Sequence, residues 1–341
     1  MTVLRTPGGL SLRWRARSLA VGALGTLLVL TLAVLAVGGG DYPMSPADVL
    51  RTLTGEGSPA ETFIVRELRL PRLATALGAG AALALAGAVV QSLLRNPLGS
   101  PDVLGITQGA ATGALVVVVA GGSSLALSGA AVAGGVASGL LIRAVAGRHG
   151  LAGHRLVLVG IGVMAMLTGV NGWLLTRAPL MDAARAVLWL TGSLDGRGWA
   201  QAGPLLAVLA ALTPVVLLGG RALSTIELGD DSATALGVPV SRVRQLLLGT
   251  AVLLAAAAAA AAGPVSFVAL TAPHLARRLT RAPGPNLVAS ALTGAALLLA
   301  ADLVAQRAIA GQQLPVGVVT GALGGAYLVW LLAAQRRAGR I

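Results

Sequence analysis

An all-α, polytopic membrane protein of about ten transmembrane helices is the fold that three observations predict. Hydrophobic residues make up 56% of the 341-residue chain and charged residues only 11%, against about 25% charged in a soluble domain; mean hydropathy is +0.84. The apolar residues fall into runs near the roughly 20 residues that cross a hydrocarbon core. The basic residues fall mostly in alternate gaps between those runs, which is the positive-inside bias. A single transmembrane domain over 1–341 follows, with a tail at 1–17 and a helical bundle over 18–336.

The first apolar run, 18–38, follows an arginine-rich tail. A secretory signal has the same order, but its apolar region is only about 7–15 residues long, so this run is read as the first span. Further runs follow at 73–94, 106–120, 124–142, 156–175, 204–220, 245–262, 287–305 and 315–334. A tenth, 265–276, is too short to cross alone and begins at the break Gly263-Pro264. A short tilted helix buried among others is tolerated away from lipid.

All 25 basic residues are arginine. With the N-terminus inside, 17 of the 25 lie in inner segments: Arg5 to Arg17, Arg95, Arg143 to Arg155, Arg221 to Arg244, Arg277 to Arg281, and Arg336 to Arg340. The outer side receives 39–70 and 176–203. Ten spans with both termini cytoplasmic, in a cell membrane, satisfy this distribution.

Composition also excludes several activities. The net charge of +13 is spread over inner loops and not gathered on a soluble face, so no nucleic-acid partner is expected. Cysteine is absent, which removes disulfides, thiolate metal sites and redox centres. Without lysine the chain lacks the residue that a phosphate-binding loop needs. The histidines are His149, His154 and His274, and no pair has the spacing of a zinc protease motif, so no metal site and no enzyme activity are expected. Ion-coupled transporters usually place ionisable groups at mid-membrane. Asp302 is the only acid well inside a span, and it lies nearer the outer end. A proton-driven carrier built on Asp302 therefore stays as an alternative to a pore-forming subunit that borrows its energy.

Two inner loops are densely specified. The first is Arg95-Asn96-Pro97-Leu98-Gly99-Ser100-Pro101-Asp102-Val103-Leu104-Gly105. Pro97 and Pro101 restrict the backbone, and Gly99 and Gly105 relax it locally. That combination points to a fixed shape at a working surface. The second, within 226–239, is Leu228-Gly229-Asp230-Asp231-Ser232-Ala233-Thr234-Ala235-Leu236-Gly237 followed by Val238-Pro239. Asp230 is read as an N-cap, Asp231 as a charge favoured by the helix dipole, and Gly237 with Pro239 as a stop. The result is an inner helix of about two turns. It is either a plug for a groove on a motor protein, with Leu228, Ala233 and Leu236 filling the groove, or a solvated connector.

These residues resemble the FecCD-type permeases of binding-protein-dependent ABC importers for iron–siderophores and vitamin B12. The resemblance runs from about Arg66 to Leu332. It rests on Arg69-Leu70-Pro71-Arg72, the Gly87 to Gln91 segment, the Arg95 to Gly105 loop with Gly109-Ala110 after it, and Trp189-Leu190-Thr191-Gly192-Ser193-Leu194. It continues through the Leu228 to Gly237 loop, Gly263-Pro264-Val265-Ser266-Phe267-Val268, Ala272-Pro273-His274-Leu275-Ala276-Arg277-Arg278, and Gln313-Leu314-Pro315-Val316-Gly317-Val318-Val319-Thr320. Gly229-Asp230-Asp231, Asn171-Gly172-Trp173-Leu174-Leu175, Ala301-Asp302-Leu303 and Leu323-Gly324-Gly325-Ala326-Tyr327-Leu328 are similar to the ferric-enterobactin branch, and within it to the second of two paired permease subunits.

The resemblance implies a function. Two permease chains, a heterodimer or a homodimer, would enclose one pathway. Two ABC ATPase subunits would sit on the cytoplasmic side against the Leu228 to Gly237 helix, holding the ATP and Mg, so this chain itself binds no cofactor. An extracytoplasmic siderophore-binding protein would deliver ferric siderophore, with vitamin B12 or haem as alternative cargo. Arg69 and Arg72 match positions that meet acidic residues of that binding protein. The third such position falls on Gln306, with Arg307 one residue on, a rotation of about 100° on a helix.

Other residues carry competing readings. Arg69 and Arg72 also look like snorkelling anchors. Asp302 is expected to pair with a neighbouring arginine such as Arg307, and His274 to bond to backbone. Trp173, Trp189 and Trp199 fit an interfacial belt. Thr168 and Asn171 are placed on the path because the fifth span lines it in the relatives, with Thr320 on the same path; Gln91 is assigned to helix packing.

Overall fold

The computed structural model of the chain describes residues 2–5, 11–40, 42–147, 153–309 and 312–337. His149, Arg148 and Arg340 lie outside the described residues. The tail pairs β1 (Thr2–Arg5) with β2 (Ser11–Trp14) as a short antiparallel hairpin, where the sequence predicted only a charged tail. It leads into α1 (Ala16–Gly38).

The segment that follows, expected on the outer side, is helical. Ser45 and Ser58 each form a capping box, with Asp48 and Glu61, at the starts of α2 (Pro46–Thr54) and α3 (Pro59–Phe63). Such caps satisfy orphan N–H groups at both ends of the exchange. From α3 the chain passes through a π-turn, Ile64–Arg69, into α4 (Leu70–Leu94) without a break. The sequence predicted that Leu70-Pro71 opens the second span. The helix instead begins at Pro59, and Pro71, which has no N–H to give, enters at the widened turn.

The rest is helical throughout: α5 (Ile106–Val119), α6 (Ser124–Ala146), α7 (Gly153–Arg177), α8 (Leu180–Leu190), α9 (Trp199–Ile226), α10 (Asp230–Ala235), α11 (Val240–Ala262), α12 (Val268–Thr280), α13 (Leu287–Arg307) and α14 (Val316–Arg337). The ten predicted spans map onto α1, α4 to α7, α9 and α11 to α14. Among the described residues, seven helices are long and apolar enough to cross a membrane alone; α5 and the Val316–Leu331 part of α14 are shorter apolar helices. The short α12 is the helix expected after the Gly263-Pro264 break, and it packs against α4 and α13.

α4 is the buried axis. Its most apolar window is 78% buried, against 6% for α1 at the periphery. Helices α9, α11, α12 and α13 pack around it, while α5, α6 and α7 form a neighbouring group joined through α11. Lipid tails are as apolar as leucine, so burial alone does not select this arrangement, and small residues that let backbones approach do. A Cβ at Gly87 would collide with the carbonyl of Ala269 on α12, and Gly80 meets Gly294 of α13 backbone to backbone.

Candidate functional site

The polar side chains gather at the two ends of the bundle. At one end the two specified loops meet. Arg95 is the C-cap of α4, in the left-handed region at φ 51°. From there its guanidinium reaches Asp230 at the start of α10, Nη2 to Oδ1 3.2 Å. Arg244 of α11 holds the same carboxylate from the other side, with Nη2 to Oδ1 2.9 Å and to Oδ2 3.1 Å. The bond to Arg244, aided by both positive charges, keeps the Asp230 carboxyl below the usual range against the effect of burial. The predicted N-cap role of Asp230 is therefore corrected. Gly229, at φ 120°, is the N-cap, and the Asp230 side chain is committed to the arginines. At the other end Gly237 at φ 81° closes α10, with Val238 N–H to Ala233 O at 2.9 Å and Gly237 N–H to Thr234 O at 2.9 Å. That pair of bonds is the Schellman pattern.

The faces of α10 differ from the sequence expectation. Leu228 and Leu236 are 70% and 68% exposed, while Ala233 is fully buried within this chain. Ala233 is thus not available to fill another protein's groove; it seats α10 on its own bundle. Asp231 is exposed. Just before the loop, Glu227 accepts from Ser92 Oγ at 2.7 Å and from Arg277 Nη2 of α12 at 3.2 Å, and Arg277 also reaches Ser92 Oγ at 3.0 Å.

The Arg95 to Gly105 loop folds back into the bundle. Asn96 Oδ1 accepts the Leu98 N–H at 2.9 Å. Ser100, Pro101, Leu104 and Gly105 are buried. Gly105 sits at φ 77°, its carbonyl takes the Ser138 hydroxyl at 2.9 Å, and a Cβ there would press on the Met164 backbone. Burial raises the Asp102 carboxyl to about 6, partly offset by the Thr107 hydroxyl, which donates at 2.6 Å. Pro97 borders a small apolar cavity with His274 and Tyr327. His274 bonds to the Tyr327 hydroxyl, at 2.6 Å, where backbone was expected.

At the other end Arg69, Arg72 and Arg307 line one cavity of about 680 Å³, together with Asp302, Gln306 and Gln313. Arg69 donates to the Val37 and Tyr42 carbonyls at 2.6 and 2.5 Å. Arg72 is the partner of Asp302, with Nη2 to Oδ1 2.9 Å and Nε to Oδ2 3.0 Å, and it also donates to Gln313 Oε1 at 2.9 Å. The predicted Asp302–Arg307 pair is thus corrected. Gln306, in the register of the third docking position, turns inward and donates to Asp302 Oδ2 at 2.7 Å. Arg307, one residue on, is exposed. Sequence reasoning missed Arg197. It lines the same cavity and donates from Nε to Ser193 O at 3.1 Å, and burial works against its charge. A lone arginine between Gly196 and Gly198, in a segment between two apolar runs, was the available signal.

Of the three residues assigned to the path, Thr168 and Asn171 lie three apart on α7 and Thr320 lies on α14. Thr168 is exposed and bonds to its own helix at Met164 O, 2.8 Å. Asn171 is buried between α7 and α5, donating to Gln108 Oε1 at 3.0 Å and accepting from Thr112 Oγ1 at 2.6 Å. Thr320 is buried, bonded to Gly317 O at 3.2 Å. Gln91 joins α4 to α12 through Leu270 O at 3.0 Å. Among the described residues no group of three or more histidines and acids is placed to hold a metal ion.

A bundle of this kind, apolar in its spans and polar at its two ends, is that of a polytopic membrane protein. The chain matches the FecCD transport family over residues 26–334, and it belongs to that family. It is 46% identical over 315 residues to the ferric enterobactin transport system permease protein FepG of Escherichia coli (strain K12), covering 91% of this chain and 96% of that protein. It is 38% identical to the achromobactin transport system permease protein CbrC of Dickeya dadantii (strain 3937), covering 92% and 91%. A solved metal-chelate type ABC transporter in an inward-facing conformation superposes with a TM-score of 0.82 at 26% identity, covering 92% of this chain and 99% of that one.

Proposed function

We propose that the chain is the permease subunit of an ABC importer that moves a ferric siderophore, catecholate and enterobactin-like, into the cytoplasm, with ATP hydrolysed by separate subunits. The observation that carries this reading is α10. It is a six-residue helix held by Arg95 and Arg244 and seated on buried Ala233, with Leu228 and Leu236 exposed on either side. A fixed helix flanked by exposed leucines is suited to a groove on another protein, since a rigid plug passes on a movement that a flexible loop absorbs. The degree of similarity to the ferric enterobactin permease supports the cargo. Both termini then face the cytoplasm, the arginine-lined outer cavity meets an acidic siderophore-binding protein, and a second permease chain completes the passage. The chain binds no cofactor; ATP and Mg belong to its partners.

The test is uptake of radioiron-labelled ferric enterobactin in a strain lacking this chain, with vitamin B12 and haem as competing cargoes. Restoration of ferric enterobactin uptake by the chain, dependent on a co-purifying ATPase, is expected. Restoration of B12 or haem uptake alone would move the cargo, and uptake driven by a proton gradient without an ATPase would overturn the class.

A further inference from the structure

We infer that Glu227 and Asp230 are positioning residues that convert α10 from a tethered loop into a lever on three membrane helices. The inference rests on the reading of α10 as the contact for the ATPase.

The two carboxylates are three residues apart and bracket the joint between α9 and α10. That joint contains Gly229 at φ 120°, a conformation with no side chain to stiffen it and a ready point of bending. Each carboxylate is anchored on different spans. Glu227 is held by Ser92 of α4 at 2.7 Å and by Arg277 of α12 at 3.2 Å. Asp230 is held by Arg95 at the end of α4, 3.2 Å, and by Arg244 of α11, 2.9 Å. The Arg244 side chain is only 8% exposed and that of Asp230 36%, so the bond is shielded from water on the arginine side, and its charge makes it stronger than a neutral hydrogen bond. The far ends of these anchors are connected, because α11 and α12 both pack on α4.

The geometry has a mechanical consequence. A push on exposed Leu228 and Leu236 would bend an unpinned Gly229 joint and go no further. With both pins made, the joint is fixed on either side, and the displacement enters α4, α11 and α12 together. Rigid elements joined by discrete polar contacts are how small shifts at one site become rigid-body movement at another. The two carboxylates therefore act through α10 and touch neither ATP nor cargo.

The experiment uses the complete transporter in proteoliposomes, with its ATPase subunits, binding protein and ferric enterobactin. Asp230→Asn, Glu227→Gln and Arg95→Gln are each compared with wild type for ATPase co-purification and for iron transported per ATP hydrolysed. Arg95 is 40% exposed at its side chain, so Arg95→Gln loosens one pin without leaving a buried charge. Retained co-purification with transport per ATP lowered about five-fold or more, the low end for coupling between sites, is expected, with recovery in Asp230→Glu. Retained co-purification with an unchanged ratio would overturn the lever. Loss of the ATPase from Asp230→Asn and Arg95→Gln would also overturn it, since the pins would then serve seating alone. Failure of the wild-type chain to hold any ATPase would overturn the reading of α10 itself.

Discussion

Removing either partner of the Arg72–Asp302 pair should destabilise the chain, and by unequal amounts. Asp302 is 2% exposed and accepts from Arg72 and Gln306 on α13's inner face. Arg72→Ala leaves that carboxylate buried with Gln306 as its remaining side-chain partner, and breaking a buried pair in this way costs about 3–5 kcal/mol. Asp302→Ala leaves Arg72, whose side chain is 18% exposed and which already lies 3.7 Å from the exposed Asp195 and bonds to Gln313. Its guanidinium can turn to those groups and to water, so the cost should be about 1–3 kcal/mol. Replacing both with apolar residues of similar volume, Arg72→Met with Asp302→Leu, should return stability to within about 1 kcal/mol of wild type. Denaturant unfolding of the purified chain in detergent, across wild type, the two alanine variants and the double variant Arg72→Ala with Asp302→Ala, gives a coupling energy of about 2 kcal/mol or more. Equal costs for the two single variants, or a double variant equal to their sum within about 0.5 kcal/mol, would refute a buried pair and return Arg72 to the solvent-facing surface.

Four further outcomes follow from the structure. Leu228→Arg and Leu236→Arg, at exposed positions, should abolish ATPase co-purification while the chain still inserts. Ala233→Arg, at a fully buried position, should lower the yield of folded chain itself, seen by gel filtration. Gly87→Ala should cost about 1–3 kcal/mol by forcing α4 away from Ala269 of α12, read as a lower unfolding midpoint. Asp102 titrates near 6 in the folded chain against 3.8 as its ordinary value, so the folded state holds the proton longer. Its contribution to stability is greatest when protonated and falls as pH rises through that window, and Asp102→Asn should flatten the loss measured between about pH 4 and about pH 7.

The arginines of the cavity beside Asp302 show why a motif and its use differ. Arg69 and Arg72 were legible through the family resemblance, and Arg307 stood one residue out of the third register, which Gln306 holds. The structure spends Arg69 on two carbonyls and Arg72 on Asp302, leaving Arg307 the exposed member. Which cation faces out depends on the rotation of α13, and that rotation puts Gln306 on Asp302. A span's register relative to its neighbours is set by packing across helices, which no local pattern records.

By itself the sequence determined the membrane class, the all-helical bundle, the short buried α12 after Gly263-Pro264, and the two specified loops. Those follow from local physics: apolar length against bilayer thickness, and turn residues that few backbones accept. The tertiary structure alone decided that the two loops touch, through Arg95 and Asp230, which are 135 residues apart in the chain. It also decided that Ala233 faces inward, that Asp302 takes Arg72, 230 residues away, and that Asn171 is shared between α5 and α7. Each of these joins residues distant in sequence. The partner of a buried charge is fixed by where the helices come to rest, and in a bundle packed on glycine and alanine that depends on backbone approaches as close as the one at Gly87.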